Sequence, residues 1–194
     1  MKIAIAADHR GHHAKEKIIA LIREAGHSVL DMGTNSSRSC DYPDLAYPAA
    51  KAVADQRADR AILICGSGIG MDICANKIHG IRAALCHDEL TAQMSRRHND
   101  ANALCLASDV MGEELMRRIV SSWLNTEFEP GGRHTRRVRK IAWIEAGHDP
   151  ALYDEKVDQK HVPAASPIIA KPLRKPSVPG NGGIEAGDLE IGQD

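Results

Sequence analysis

Apolar residues along this chain fall into short continuous runs, separated by longer stretches in which they recur every three or four positions. The runs are Lys2–Ala7, Ser28–Met32, Arg60–Cys65, Ile81–Cys86 and Ala103–Ala107, and each reads as a strand covered on both faces. Between the first two, His12–Ala25 places Ile18, Ile19, Leu21 and Ile22 at helical spacing, with Gly26 as a stop. Pro43–Asp55 is alanine-rich with prolines near its start, which suits a helix. Met71–Asn76, Glu89–His98, Glu113–Leu124 and Arg136–Ala146 complete the helical segments. Repeated strand–helix units with continuous apolar strands predict an α/β fold. The expected form is a Rossmann-like three-layer sandwich: a five-stranded parallel sheet with right-handed crossovers, plus a C-terminal helix.

The pattern stops near Asp149. Residues 151–194 carry Pro163, Pro167, Pro172, Pro176, Pro179 and the run Gly180-Asn181-Gly182-Gly183, with no sustained periodicity. The expected organisation is one domain over 1–150 and a Pro/Gly-rich extension over 151–194. That extension is either a flexible, disordered tail or an extended arm lying on a neighbouring subunit.

Composition narrows the function classes. The 194 residues suffice for one sizeable core. Net charge is -1 and aromatics are 3%, so nothing favours nucleic acid or a membrane as partner. No apolar run reaches bilayer length, and Met1-Lys2-Ile3-Ala4-Ile5 enters a strand without the layout of a signal peptide. A cytoplasmic location is expected. Cys40, Cys65, Cys74, Cys86 and Cys105 form no C-x-x-C pair, so unpaired thiols in a reducing compartment are the default.

Ligands of open α/β sheets bind beyond the carboxyl ends of the strands. Asp8-His9, Cys65–Gly70 and His87-Asp88 stand at such ends. The turn Gly66-Ser67-Gly68-Ile69-Gly70 can aim backbone N–H groups at a phosphate or an oxyanion. It lacks the Walker lysine and the full dinucleotide fingerprint, and a tight turn without a ligand is an equal reading. Cys65 at its entrance is either a base or nucleophile, or a core cysteine. Asp8-His9 is an acid/base or hydroxyl-binding pair, or simply a helix-start loop. His9, His12 and His13 have no matching acidic or thiolate cluster, so no metal is expected. His98-Asn99-Asp100 ends a helix, which places it at the sheet edge opposite Cys65. A histidine there is a dipole contact, or it serves a neighbouring subunit's site. The basic run Gly131–Arg137 is subject to the same geometry, as a phosphate clamp or a solvated face.

Taken together, several segments resemble the ribose-5-phosphate isomerase B family, which also holds galactose-6-phosphate and allose-6-phosphate isomerases. They are Ala7–Gly11, Asp41-Tyr42-Pro43, Ile62–Met71, Ala75-Asn76-Lys77, Gly80–Ala84, Ser95–Asn102 and Gly131–His134, in the family's order over roughly 1–148. The resemblance implies an aldose–ketose isomerase that needs no cofactor and takes a phosphorylated sugar, ribose 5-phosphate first. It implies Cys65 as the proton-transferring base. Ser67 and the amides of Gly66, Gly68, Ile69 and Gly70 look like the anion hole, and His98 like the ring-opening group, with Asp8 assisting. His9, Arg133 and Arg137 look like phosphate ligands and Asn99 like a substrate contact. The family's dimers share their sites, so a homodimer or a dimer of dimers is implied. One departure is Ala107-Ser108-Asp109-Val110, where the family commonly carries an arginine at the third position. Asp109 is expected to repel phosphate, with Arg136, Arg139 or Arg10 as compensating cations. Pro130 also looks like an insertion before the basic run. The alternatives are an isomerase of a tetrose 4-phosphate, allose 6-phosphate or galactose 6-phosphate, or a non-catalytic sugar-phosphate-binding protein.

Overall fold

The computed structural model of the chain describes residues 1–154. The expectation of a tail therefore lies almost wholly outside the described residues. Five strands form the sheet: β1 (Lys2–Ala7), β2 (Ser28–Asp31), β3 (Arg60–Cys65), β4 (Ala83–Leu85) and β5 (Ala103–Ala107). Six α-helices alternate with them or follow them: α1 (His12–Glu24), α2 (Tyr42–Ala54), α3 (Ile69–Ala75), α4 (Glu89–Asn99), α5 (Glu113–Leu124) and α6 (Gly132–Glu145). Every pairing is parallel and the strand order is β2-β1-β3-β5-β4. The predicted three-layer α/β sandwich is the observed one.

Successive side chains of a strand point to opposite faces, and here that alternation sorts the core in two. Ile3, Ile5, Ile62, Ile64, Leu104 and Leu106 meet Ile18 and Ile22 of α1 and Ile119, Val120 and Trp123 of α5. On the other face Ala4, Ala6, Leu63, Cys65 and Cys105 meet Ala46, Ala49, Ala50 and Val53 of α2 and Met71 of α3.

Most bounds agree with the expected ones within one or two residues, and β4 and α6 differ for local reasons. Strand β4 is shorter than Ile81–Cys86. Before it, the Asn102 side chain accepts from Arg82 N at 2.8 Å and donates to Gly80 O at 2.8 Å, replacing the ladder. Helix α6 starts at Gly132 rather than Arg136, because Thr135 Oγ1 accepts from Gly131 N at 2.6 Å and closes an earlier turn. The basic run is thus the opening of α6 and not a loop before it. Past α6, a 3-10 turn (Pro150–Leu152) packs back, with Lys140 Nζ donating to Pro150 O at 2.7 Å.

The amino edge of the sheet is pinned by buried charge. Asp100, held in the left-handed region at φ 48, pairs with Arg82 at 3.0 Å and Arg96 at 2.9 Å. Arg96 also donates to Ala101 O at 2.5 Å, and Arg60 donates to Trp123 O at 3.0 Å. Burial pulls Arg60 down to about 9, still charged at neutral pH. Burial likewise lowers Arg82 and Arg96, and Asp100 opposes it in both.

Removing Asp100 leaves two buried guanidinium groups without their counter-ion. Asp100→Ala should therefore lower the urea unfolding free energy by about 3–5 kcal/mol. Arg118→Ala, which breaks only exposed pairs with Glu89 and Glu114, should cost no more than about 1 kcal/mol.

Candidate active site

Chain connection reverses between β1 and β3, the switch point at which open α/β sheets bind their ligands. Asp8-His9 follow β1, and Cys65 ends β3 beside them. The start of α1 is pressed onto β3: a Cβ on Gly11 would lie 2.8 Å from Ile64 O. Asp8 is buried, and its Oδ1 accepts from Arg10 N at 2.9 Å and Gly11 N at 3.1 Å. The helix-start reading of Asp8 thus holds for one carboxylate oxygen, while Oδ2 takes no part in that turn. Cys40 N donates to His9 Nδ1 at 3.4 Å. In the neutral ring this leaves the proton on Nε2.

The glycine turn wraps the Cys65 sulfur. Gly68 N donates to Cys65 Sγ at 3.1 Å, and Ile69 N donates to Ser67 Oγ at 3.4 Å. Gly68 sits at φ +74, and a Cβ there would collide with Leu85 and lie 3.1 Å from the Leu106 backbone. From the other side Ser108 N and Ser108 Oγ donate to Cys65 O at 2.9 and 3.1 Å, and Asp109 N donates to Gly66 O at 3.0 Å. Cys65 is buried yet carries an N–H donor on its sulfur. Burial pushes the Cys74, Cys86 and Cys105 thiols up.

Tyr42 also belongs to this edge. A Cβ on Gly70 would lie 2.7 Å from its ring, so the ring stacks on the turn. No role for Tyr42 follows from its residue type alone. The available signal was its place in Asp41-Tyr42-Pro43 at a helix start.

His98, Asn99, Arg133 and Arg137 gather at the opposite edge. His98 and Asn99 close α4, and Arg82 Nε donates to Asn99 O at 3.1 Å. The His98 ring stacks on His134 of α6, with centroids 4.2 Å apart and planes 3° off parallel. His134 is held below the ordinary imidazole value, first by desolvation and then by His98, Arg133 and Arg137. Within one chain the two groups do not meet, as the direction of the helices predicts.

Elsewhere, His12, His13 and Glu16 bring possible ligand atoms within 4.8 Å of one another. Glu16 is the acidic neighbour that the sequence reading denied to these histidines. Each histidine contacts it at 3.9 Å, on the first turns of α1.

A parallel five-stranded sandwich with a thiol-bearing glycine turn at its switch point defines an α/β enzyme scaffold. Residues 3–141 match the family described as Ribose/Galactose Isomerase. Ribose-5-phosphate isomerase B of Escherichia coli is 49% identical over 144 residues, covering 74% of this chain and 96% of that protein. D-erythrulose-4-phosphate isomerase of Pectobacterium atrosepticum is 42% identical over 146 residues, covering 75% and 95%. The structure of Clostridium thermocellum ribose-5-phosphate isomerase B superposes with a TM-score of 0.74 at 47% identity, covering 77% of this chain and all (100%) of that one. The chain belongs to the ribose/galactose isomerase family. It is an aldose–ketose isomerase by class.

The turn depends on its middle glycine. Gly68→Ala should lower stability by at least about 1–2 kcal/mol, from the left-handed backbone alone, and should depress turnover. Gly112→Ala, which meets nothing within 4 Å, is the control. Thermal unfolding and a rate assay of both variants check this.

Proposed function

We propose that this isomerase interconverts ribose 5-phosphate and ribulose 5-phosphate through an enediolate. The observation that carries the reading is the Gly68 N–H on Cys65 Sγ at the mouth of the glycine turn. Cys65, as thiolate, removes the proton from C2 of the open-chain aldose and returns it to C1. The Ser67 side chain and the amides of Gly66, Gly68, Ile69 and Gly70 stabilise the oxyanion that forms between those steps, so the chemistry needs no cofactor. His98 opens the furanose by moving a proton between the ring oxygen and the anomeric hydroxyl, with Asp8 assisting. His9, Arg133 and Arg137 hold the phosphate, and Asn99 contacts the sugar. Remote phosphate binding then fixes the reacting carbons over the thiolate.

Such a site needs both edges of the sheet, and one chain cannot bring them together. We assign the working unit to a homodimer, or a dimer of dimers, in which His98, Asn99, Arg133 and Arg137 serve the partner's Cys65. Exposed Tyr47 on α2 and Ile69 and Ile73 on α3 support a second copy on that side. We assign the catalytic unit to residues 1–150, with 151–194 as an extension. Among the described residues no helix is long and apolar enough to cross a membrane. Unpaired cysteines suit a cytoplasmic setting.

A tetrose 4-phosphate is the second reading, favoured by the 42% identical erythrulose-4-phosphate isomerase. Rates with ribose 5-, erythrose 4-, allose 6- and galactose 6-phosphate decide. Ribose 5-phosphate should give the highest kcat/KM, and a higher value for the tetrose would replace it as substrate.

Cys65→Ala should cut kcat by about 10²–10⁴-fold, the usual worth of a positioned base. Its affinity for ribose 5-phosphate, read by calorimetry, should stay within a few-fold. Near-normal turnover would remove Cys65 from the mechanism.

Mixing Cys65→Ala with His98→Ala chains tests the sharing. In a heterodimer one site carries both lesions and the other carries neither, so activity should return to roughly half of normal. Verified heterodimers as inactive as their parents would place each site within one chain.

A further inference from the structure

Asp109 puts a carboxylate against the first residue of the glycine turn. Its Oδ2 would lie 2.5 Å from a Cβ on Gly66, so only a glycine lets it come so close. Left alone, an anion there works against an anionic substrate. It is not alone. Arg10, from the loop between β1 and α1, donates Nε to Asp109 Oδ1 and Oδ2 at 3.2 and 2.9 Å, and its Nη2 lies 2.7 Å from Oδ2. The pair bridges the loop after β1 and the loop after β5, and the Arg10 Cγ would stand 3.7 Å from the same Gly66 Cβ.

The geometry of this contact leaves Arg10 with capacity. A guanidinium has five donors arranged along its edges. Asp109 occupies the Nε/Nη2 edge, which leaves Nη1 and the second hydrogen of Nη2 without a partner among the described residues. A second planar or tetrahedral oxyanion fits that free edge as a fork. The carboxylate meanwhile fixes the long side chain in one rotamer, which an exposed arginine does not otherwise hold.

We infer that Arg10 is a phosphate ligand of this site and that Asp109 is the residue that positions it. Asp109 then aids anion binding despite its sign. This rests on the reading of the substrate as a phosphorylated sugar. It adds to that reading a ligand and an orienting partner beside Gly66.

Titration calorimetry with inorganic phosphate tests the pair without requiring turnover, and kcat and KM for ribose 5-phosphate test it in catalysis. Both side chains are partly exposed, 57% and 39%, so the variants should fold, which circular dichroism checks. Arg10→Ala should weaken phosphate binding and raise KM about tenfold, the worth of one charge-assisted fork, with kcat within about twofold. Arg10→Lys keeps the charge but loses the fork, and should be weakened nearly as much. Asp109→Ala removes a negative charge and should nevertheless weaken phosphate binding about threefold, because Arg10 loses its orientation. With both replaced, binding should be no weaker than in Arg10→Ala alone. Tighter phosphate binding by Asp109→Ala, or unchanged binding by Arg10→Ala, overturns the inference. A wild-type protein that binds phosphate but turns over no ribose 5-phosphate would instead refute the substrate reading, and the calorimetric comparison would still judge Arg10 and Asp109.

Discussion

All five strands of this sheet run the same way, and the chemistry is distributed by that constraint. A parallel strand must be followed by a crossover that returns the chain to the starting edge. Every loop that leaves a strand therefore collects at the carboxyl edge, and α1 to α5, which follow the strands, end at the amino edge, where α6 begins. Asp8, His9, Cys65, Tyr42 and the glycine turn share the first edge; His98, Asn99, Arg133 and Arg137 share the second. The separation of thiol from imidazole follows from topology and not from any side chain's preference. On the proposed mechanism, a second copy of the chain would complete the site.

The two edges are stabilised by different means. At the carboxyl edge, backbone groups do most of the work: Gly68, Ser108 and Asp109 bond back to Cys65 and Gly66. At the amino edge, side-chain charges do it, through Asp100 with Arg82 and Arg96, and Arg60 beneath Trp123. Arginine suits this role because its fork can satisfy a carboxylate and several carbonyls at once. The cluster fixes the end of α4, and so sets the direction in which His98 and Asn99 leave the molecule.

The alternation of the strands and the helical spacing of Ile18, Ile19 and Ile22 made the sandwich legible from residue pattern alone, since burial on both faces leaves no polar residue in a strand interior. Cys65 and the glycine turn were legible as a strand-to-helix turn with a thiol at its entrance, while a ligand-free turn and a core cysteine remained equal readings. The bounds of β4 and α6 were not, because they depend on Asn102 and Thr135 side chains replacing backbone partners, a choice made only in three dimensions. The Arg10–Asp109 pair is another such case. The residues stand 99 positions apart, and Asp109 read singly suggests repulsion. The stack of His98 on His134 likewise joins two helices whose contact no local spacing announces. Asp8 was legible as a choice between two roles, and the fold gives one oxygen to the helix start.

The two faces of the sheet differ in how freely their sequence can drift. Behind one face, isoleucines, leucines and Trp123 interdigitate, and an Ile→Val exchange there trims a methyl at about 0.5–1.5 kcal/mol. Behind the other, Ala46, Ala49 and Ala50 of α2 lie against Ala4, Ala6 and Ala61, all fully buried. Alanine facing alanine lets the helix approach closely, and such a contact has no side chain to trim and no room to grow. Any larger residue must push α2 outward, at a cost of about 1–3 kcal/mol, and Tyr42, at the head of the same helix, would move with it. Lineages of this chain can therefore exchange residues more readily behind α1 and α5, whereas the alanine layer under α2 admits almost none without disturbing the ring that covers Gly70.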